Sequence, residues 1–139
     1  MNETLTKIVE RVRQVAAERP DNEYKGVPLG QPRSGICGYT FGTCSDGTVG
    51  CIFGQVLQEF PEIELPDESN EDECLNQCIW DVLETNLRLN PDDKETNEAL
   101  TWCQDIQENQ DAGQSWESAV KNADDTGYEY TPWPGGNWN

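Results

Sequence analysis

The chain has 139 residues, a common size for one domain, and only 35% of them are hydrophobic, so its core must be small. It carries 27 acids, 9 bases and no histidine, for a net charge of −18. Histidine-based triads and histidine metal ligands are therefore excluded, and direct binding to phosphate backbones or anionic membranes is disfavoured.

The charge is uneven. Residues 1–25 balance five acids with five bases, whereas residues 61–139 hold twenty acids against Arg88, Lys94 and Lys121. Acidity by itself serves solubility. Concentrated in this way it also suits a basic protein partner, including one built to hold nucleic acid. No apolar run is long enough to span a bilayer, and the first residues lack a basic segment followed by an apolar one. A cytoplasmic protein is expected.

The spacing of Leu5, Ile8, Val9, Val12, Val15 and Ala16 predicts a helix over 3–18, which Arg19-Pro20 ends. Residues 21–35 read as a loop rich in proline and glycine. Residues 36–52 read as a β-hairpin turning at Asp46-Gly47. A two-residue turn there sets Ser45 opposite Thr48, Cys44 opposite Val49 and Phe41 opposite Ile52. A short helix follows at about 53–60, closed by Pro61, and then an acidic loop over 61–69.

A third helix is expected from the cap at Ser69-Asn70 to about Arg88, with Glu71, Asp72 and Glu73 in its first turn. A fourth runs from about Asp92 to Ala112 with Gly113 as terminator, and a fifth from a Ser115 cap to about Ala123. The expected fold class is α+β. One small acidic domain over 1–126 packs a hairpin on about five α-helices, and an irregular tail follows at 127–139. That tail sets Tyr128, Tyr130, Trp133 and Trp138 among prolines and glycines.

Six cysteines need an explanation. Cys37, Cys44 and Cys51 are evenly spaced around the hairpin, Cys74 and Cys78 would share a face of the third helix, and Cys103 is on the fourth. Buried apolar thiols, a zinc site and a redox pair are all open readings, and the spacings do not form a zinc knuckle. No cofactor is expected. Neither the acids at 71–73 nor Asp92-Asp93 has the glycine and alternation of a calcium loop, and no phosphate-cradling loop is present. Trp80 and Trp102 lie off the apolar stripes of their helices. Each either widens a buried face or anchors a partner, as the tail aromatics could.

The segment from Cys37 through Tyr39, Asp46-Gly47, Cys51 and Gly54 to Leu57 resembles the hallmark of small proteins common in phages of actinobacteria. The segment from Cys103 through Gln107, Gln110, Gly113 and Trp116 to Val120 is similar to the closing motif of the same family. The two motifs cover roughly 36–120. The resemblance implies a phage accessory protein. The readings that follow are a binding protein that modulates, and most naturally inhibits, a host protein such as a defence factor; a DNA mimic; or a zinc- or cysteine-dependent enzyme. For the binding reading, the contact residues are the acids at 71–73, Trp80, Trp102 and the tail aromatics. The motif residues have folding roles: Gly47 for the turn, Gly54 for close packing of a helix start on the hairpin, Gly113 for a helix end and Trp116 for the core.

Overall fold

The computed structural model describes residues 1–26, 39, 42–65 and 78–125. The first helix, α1 (Glu3–Glu18), has the expected bounds. Asn2 caps it by accepting the Leu5 N–H at 3.0 Å, and all six residues of the predicted stripe are buried. Arg19 leaves helical geometry just before Pro20.

The chain then departs from the expected loop. Residues Tyr24–Gly26 form a strand, β1, antiparallel to β2 (Thr43–Cys44), with Tyr24 opposite Cys44 and Gly26 opposite Thr43. Two glycines make this possible. Gly26 and Gly42 hold φ values of 72° and 80°, and a Cβ on Gly42 would strike the Tyr24 hydroxyl. Strand signals this short are hidden by such glycines.

The hairpin turn is present, but its register is one residue from that expected. Cys44 donates its N–H to Thr48 O at 2.8 Å, Gly47 donates to Cys44 O at 3.0 Å, and Gly50 donates to Gly42 O at 2.9 Å. Cys44 therefore faces Thr48, and Thr43 faces Val49. The loop has three residues, Ser45-Asp46-Gly47, with positive φ only at Gly47 (89°). A turn followed by a left-handed glycine makes a bulge that a two-residue loop lacks. The predicted Phe41–Ile52 pairing, like Cys37, lies outside the described residues.

Four more helices follow: α2 (Ile52–Leu57), α3 (Ile79–Leu87), α4 (Lys94–Asp111) and α5 (Trp116–Asp124). Among the described residues, five helices and one two-stranded antiparallel sheet make this a small α+β fold, as the sequence predicts. Helix α2 stops at Leu57, not Phe60, because the Glu59 and Phe60 amides bond three residues back and tighten the chain. Helix α3 starts at Ile79. Cys78 is its extended N-cap (φ −77°, ψ 165°), and the expected helical pairing of Cys78 with Cys74 lies outside the described residues. Asp93 caps α4 and Ser115 caps α5, and Gly113 takes φ 100° between them. Helix α4 packs on α3 and α5, and α1 packs on α2 and α5. Leu5, Ile8, Ile52, Phe53, Leu83, Leu100, Ile106 and Trp116 fill the core. No helix among the described residues is long and apolar enough to cross a membrane.

Candidate functional site

The motif residues converge on Arg19. Its Nη1 and Nη2 donate to Gln55 Oε1 at 2.9 and 2.6 Å, and its Nε lies 3.2 Å from Asp46 Oδ2 as an ion pair. Its guanidinium stacks 4.4 Å above the Trp116 ring. Gln55 Nε2 donates on to Thr48 Oγ1 at 2.9 Å and Gly50 O at 3.0 Å. Asp46 Oδ1 accepts from the Thr48 amide at 3.0 Å and hydroxyl at 2.5 Å. Partial burial pushes the Asp46 carboxyl up, but the two Thr48 bonds and Arg19 outweigh it and hold the carboxyl below its ordinary range. One charged side chain thus ties the end of α1, the turn, α2 and the start of α5 together.

Asn22 extends this cluster. Its Oδ1 accepts from the Asp46 amide at 3.1 Å and from Ser45 Oγ at 3.2 Å, while its carbonyl accepts the Trp116 N–H at 2.8 Å. Arg19, Pro20, Asp21, Asn22, Ser45 and Asp46 line an open depression of about 340 Å³. Most of its polar atoms already serve the turn, so it reads as the outer face of a structural lock.

The closing motif is also structural. The glutamines of α4 recur every three residues and reach the starts of two other helices. Gln110 Oε1 accepts the Ile52 N–H at 3.2 Å, at the first turn of α2. Gln107 Oε1 accepts the Ile79 N–H at 2.9 Å, and Gln104 Oε1 lies 3.3 Å from the Trp80 N–H, both at the first turn of α3. Gln107 Nε2 also donates to the Tyr39 hydroxyl at 3.0 Å. These bonds satisfy helix-end amides that would otherwise be buried without partners. Gly54 packs as predicted: a Cβ there would overlap the Tyr39 carbonyl. The Cys51 sulfur accepts the Gly54 N–H at 3.5 Å.

Trp102 is a correction. It is 1% exposed and so cannot anchor a partner. Its Nε1 donates to Asp124 Oδ1 at 2.7 Å, Arg13 lies 4.6 Å over its ring, and Arg13 grips both Asp124 oxygens at 2.9 and 3.2 Å. Burial raises the Asp124 carboxyl despite these partners. The apolar stripe of α4 is wide because α1, α3 and α5 all pack on it. Trp80 is half-buried, packed against the rim of the core with part of its surface left exposed. Glu71, Asp72, Glu73, Tyr128, Tyr130, Trp133 and Trp138 lie outside the described residues.

Cys44, Cys51 and Cys103 are buried, and Cys78 is half-buried. Burial raises the thiols of Cys44 and Cys78 and pushes that of Cys103 far up, the opposite of what a nucleophile or metal ligand needs. Among the described residues no three or more cysteine or carboxylate side chains are grouped to hold a metal.

The remaining feature is charge. Residues 79–125 hold twelve acids against three bases. Of the eight bases in the described residues, Lys7, Arg11, Arg13, Arg19, Lys25 and Lys94 are in ion pairs with side chains of this chain. Asp81, Glu95, Glu108, Asp111, Glu117 and Asp125 are exposed. The sequence marks Arg19 only as a helix end and Gln107 and Gln110 only as closing-motif residues, and none of them as a hub of contacts. The three-residue glutamine spacing was the available signal for the ladder; for Arg19 only the adjacent proline marked the position. No family model matches the chain, and no curated protein or solved structure matches it either.

Proposed function

We propose that the chain is a binding protein that docks the acidic face of α3–α5 on a basic surface of another protein. The observation that carries this reading is the segregation of charge. The bases of the N-terminal part are spent on internal ion pairs, while twelve acids in residues 79–125 face only three bases. A field of that kind speeds encounter with a basic partner and repels nucleic acid. Trp80, half-exposed at the start of α3, supplies an aromatic anchor beside the acids. The resemblance to small proteins of actinobacterial phages makes the partner a host protein whose activity is modulated, a defence factor being the natural target.

The test is capture of the partner from host lysate, then binding kinetics with the purified pair at low and high salt. Reversing Glu108, Asp111 and Glu117 to Lys should slow association about tenfold and leave dissociation nearly unchanged. An association rate indifferent to both salt and charge reversal rejects the proposal. A second reading, mimicry of DNA by the acids of α4 and α5, differs in one observable: duplex DNA would then displace the chain from its partner.

A further inference from the structure

Among aspartyl peptide bonds, the one followed by glycine is the most prone to rearrange. The glycine amide nitrogen attacks the aspartate Cγ, a nitrogen–carbon bond forms, a carbon–oxygen bond breaks and one water leaves. The resulting succinimide takes up water at either carbonyl, giving aspartate or isoaspartate. The reaction needs no reagent besides water. It requires a carboxyl that is protonated and free to turn toward the amide, and an amide that is free to lose its proton. Glycine favours it because no side chain shields the nitrogen. Gly47 fits, since nothing lies within 4 Å of the place a Cβ would occupy.

Every other requirement is blocked in the native turn. The Gly47 N–H is bonded to Cys44 O at 3.0 Å. Asp46 Oδ1 is held by the Thr48 amide and hydroxyl at 3.0 and 2.5 Å, and Oδ2 lies 3.2 Å from Arg19 Nε. The Asp46 amide is tied to Asn22 Oδ1 at 3.1 Å. Turning Cγ toward the Gly47 nitrogen breaks the Thr48 and Arg19 contacts together.

We infer that Asp46-Gly47 is a latent isomerisation site, kept inert in the folded chain by Thr48, Arg19 and the Cys44 carbonyl. Conversion to isoaspartate inserts a methylene into the backbone between residues 46 and 47. The three-residue loop then no longer fits the Cys44–Thr48 pairing, and Arg19 loses the carboxylate that steadies it over Trp116. Isomerisation therefore follows opening of the turn and, once made, keeps the turn from closing again. The low-lying Asp46 carboxyl adds to the protection, because the protonated form is scarce at neutral pH.

The experiment incubates the full chain at neutral pH and physiological temperature, folded in buffer and unfolded in urea. Isoaspartate at position 46 is then quantified by methyl transfer from an isoaspartyl methyltransferase and by fragmentation mass spectrometry. The folded chain should accumulate it at least about tenfold more slowly than the unfolded chain, the ratio set by how rarely the turn opens. Thr48→Val should accelerate the reaction in folded protein, whereas Thr48→Ser, which keeps the hydroxyl, should stay near the parent rate. Equal rates in the folded and unfolded chains, or none at position 46 in either, overturn the inference. A folded Thr48→Val protein that reacts at the parent rate overturns the part assigned to Thr48.

Discussion

Two regions of this molecule use charge in opposite ways. Around Arg19 a single base is surrounded by Asp46, Gln55, Thr48 and the Trp116 ring, and these groups are engaged with one another. On α3–α5 the acids outnumber the bases fourfold, and many stand exposed. The first arrangement holds elements together, since a partly buried charge with several partners is expensive to disturb. The second adds little to folding, because exposed charges are screened and scarcely coupled. The buried side chains of the recognisable motifs thus serve structure, and the exposed acids that stand between and around them are the better candidate for contact with a partner.

The largest expected effect lies in the first region. Trp116→Ala removes a fully buried ring and the platform under Arg19, and should cost about 3–5 kcal/mol in a urea titration. A loss under 1 kcal/mol would mean the cluster around Arg19 is not a lock. Next, Gly54→Ala should cost about 1–3 kcal/mol, because the new methyl group meets the backbone of Tyr39 and cannot be accommodated by turning a side chain. A neutral result would show that the start of α2 can move off the hairpin.

A smaller effect concerns pH and sharpens the comparison from the acidic side. Thr96 bonds hold the exposed Asp93 carboxyl below 3.8, the ordinary aspartate value. A depressed folded-state value means the stability from this group is complete above 3.8 and is lost as pH falls through the lower value. Asp93→Asn keeps an N-cap but removes the titration, so melting temperature should fall less steeply with acid than in the parent. An unchanged acid limb would mean the cap charge contributes nothing. The smallest expected effect is that of the Glu108, Asp111 and Glu117 reversal on stability, within about 0.5 kcal/mol at neutral pH. A large loss there would merge the two regions into one structural network and remove the basis for assigning binding to the second.

The amphipathic stripe of α1, the Ser115 cap and the Gly113 terminator follow from local spacing and local chemistry. They were legible in the sequence because each depends on residues within a turn or two of one another. The net acidity and its concentration after residue 60 were equally plain. What only the tertiary structure decided joins distant parts of the chain. The hairpin register moved by one residue because Asn22 and Thr48 favour a bulged loop at Asp46-Gly47. Tyr24–Gly26 became a strand because β2 offered it an edge. Trp102 went inside because α1 and α5 bring Arg13 and Asp124 to its indole. Such pairings close loops of up to 111 residues, as in Arg13–Asp124, and no periodicity in the sequence records them.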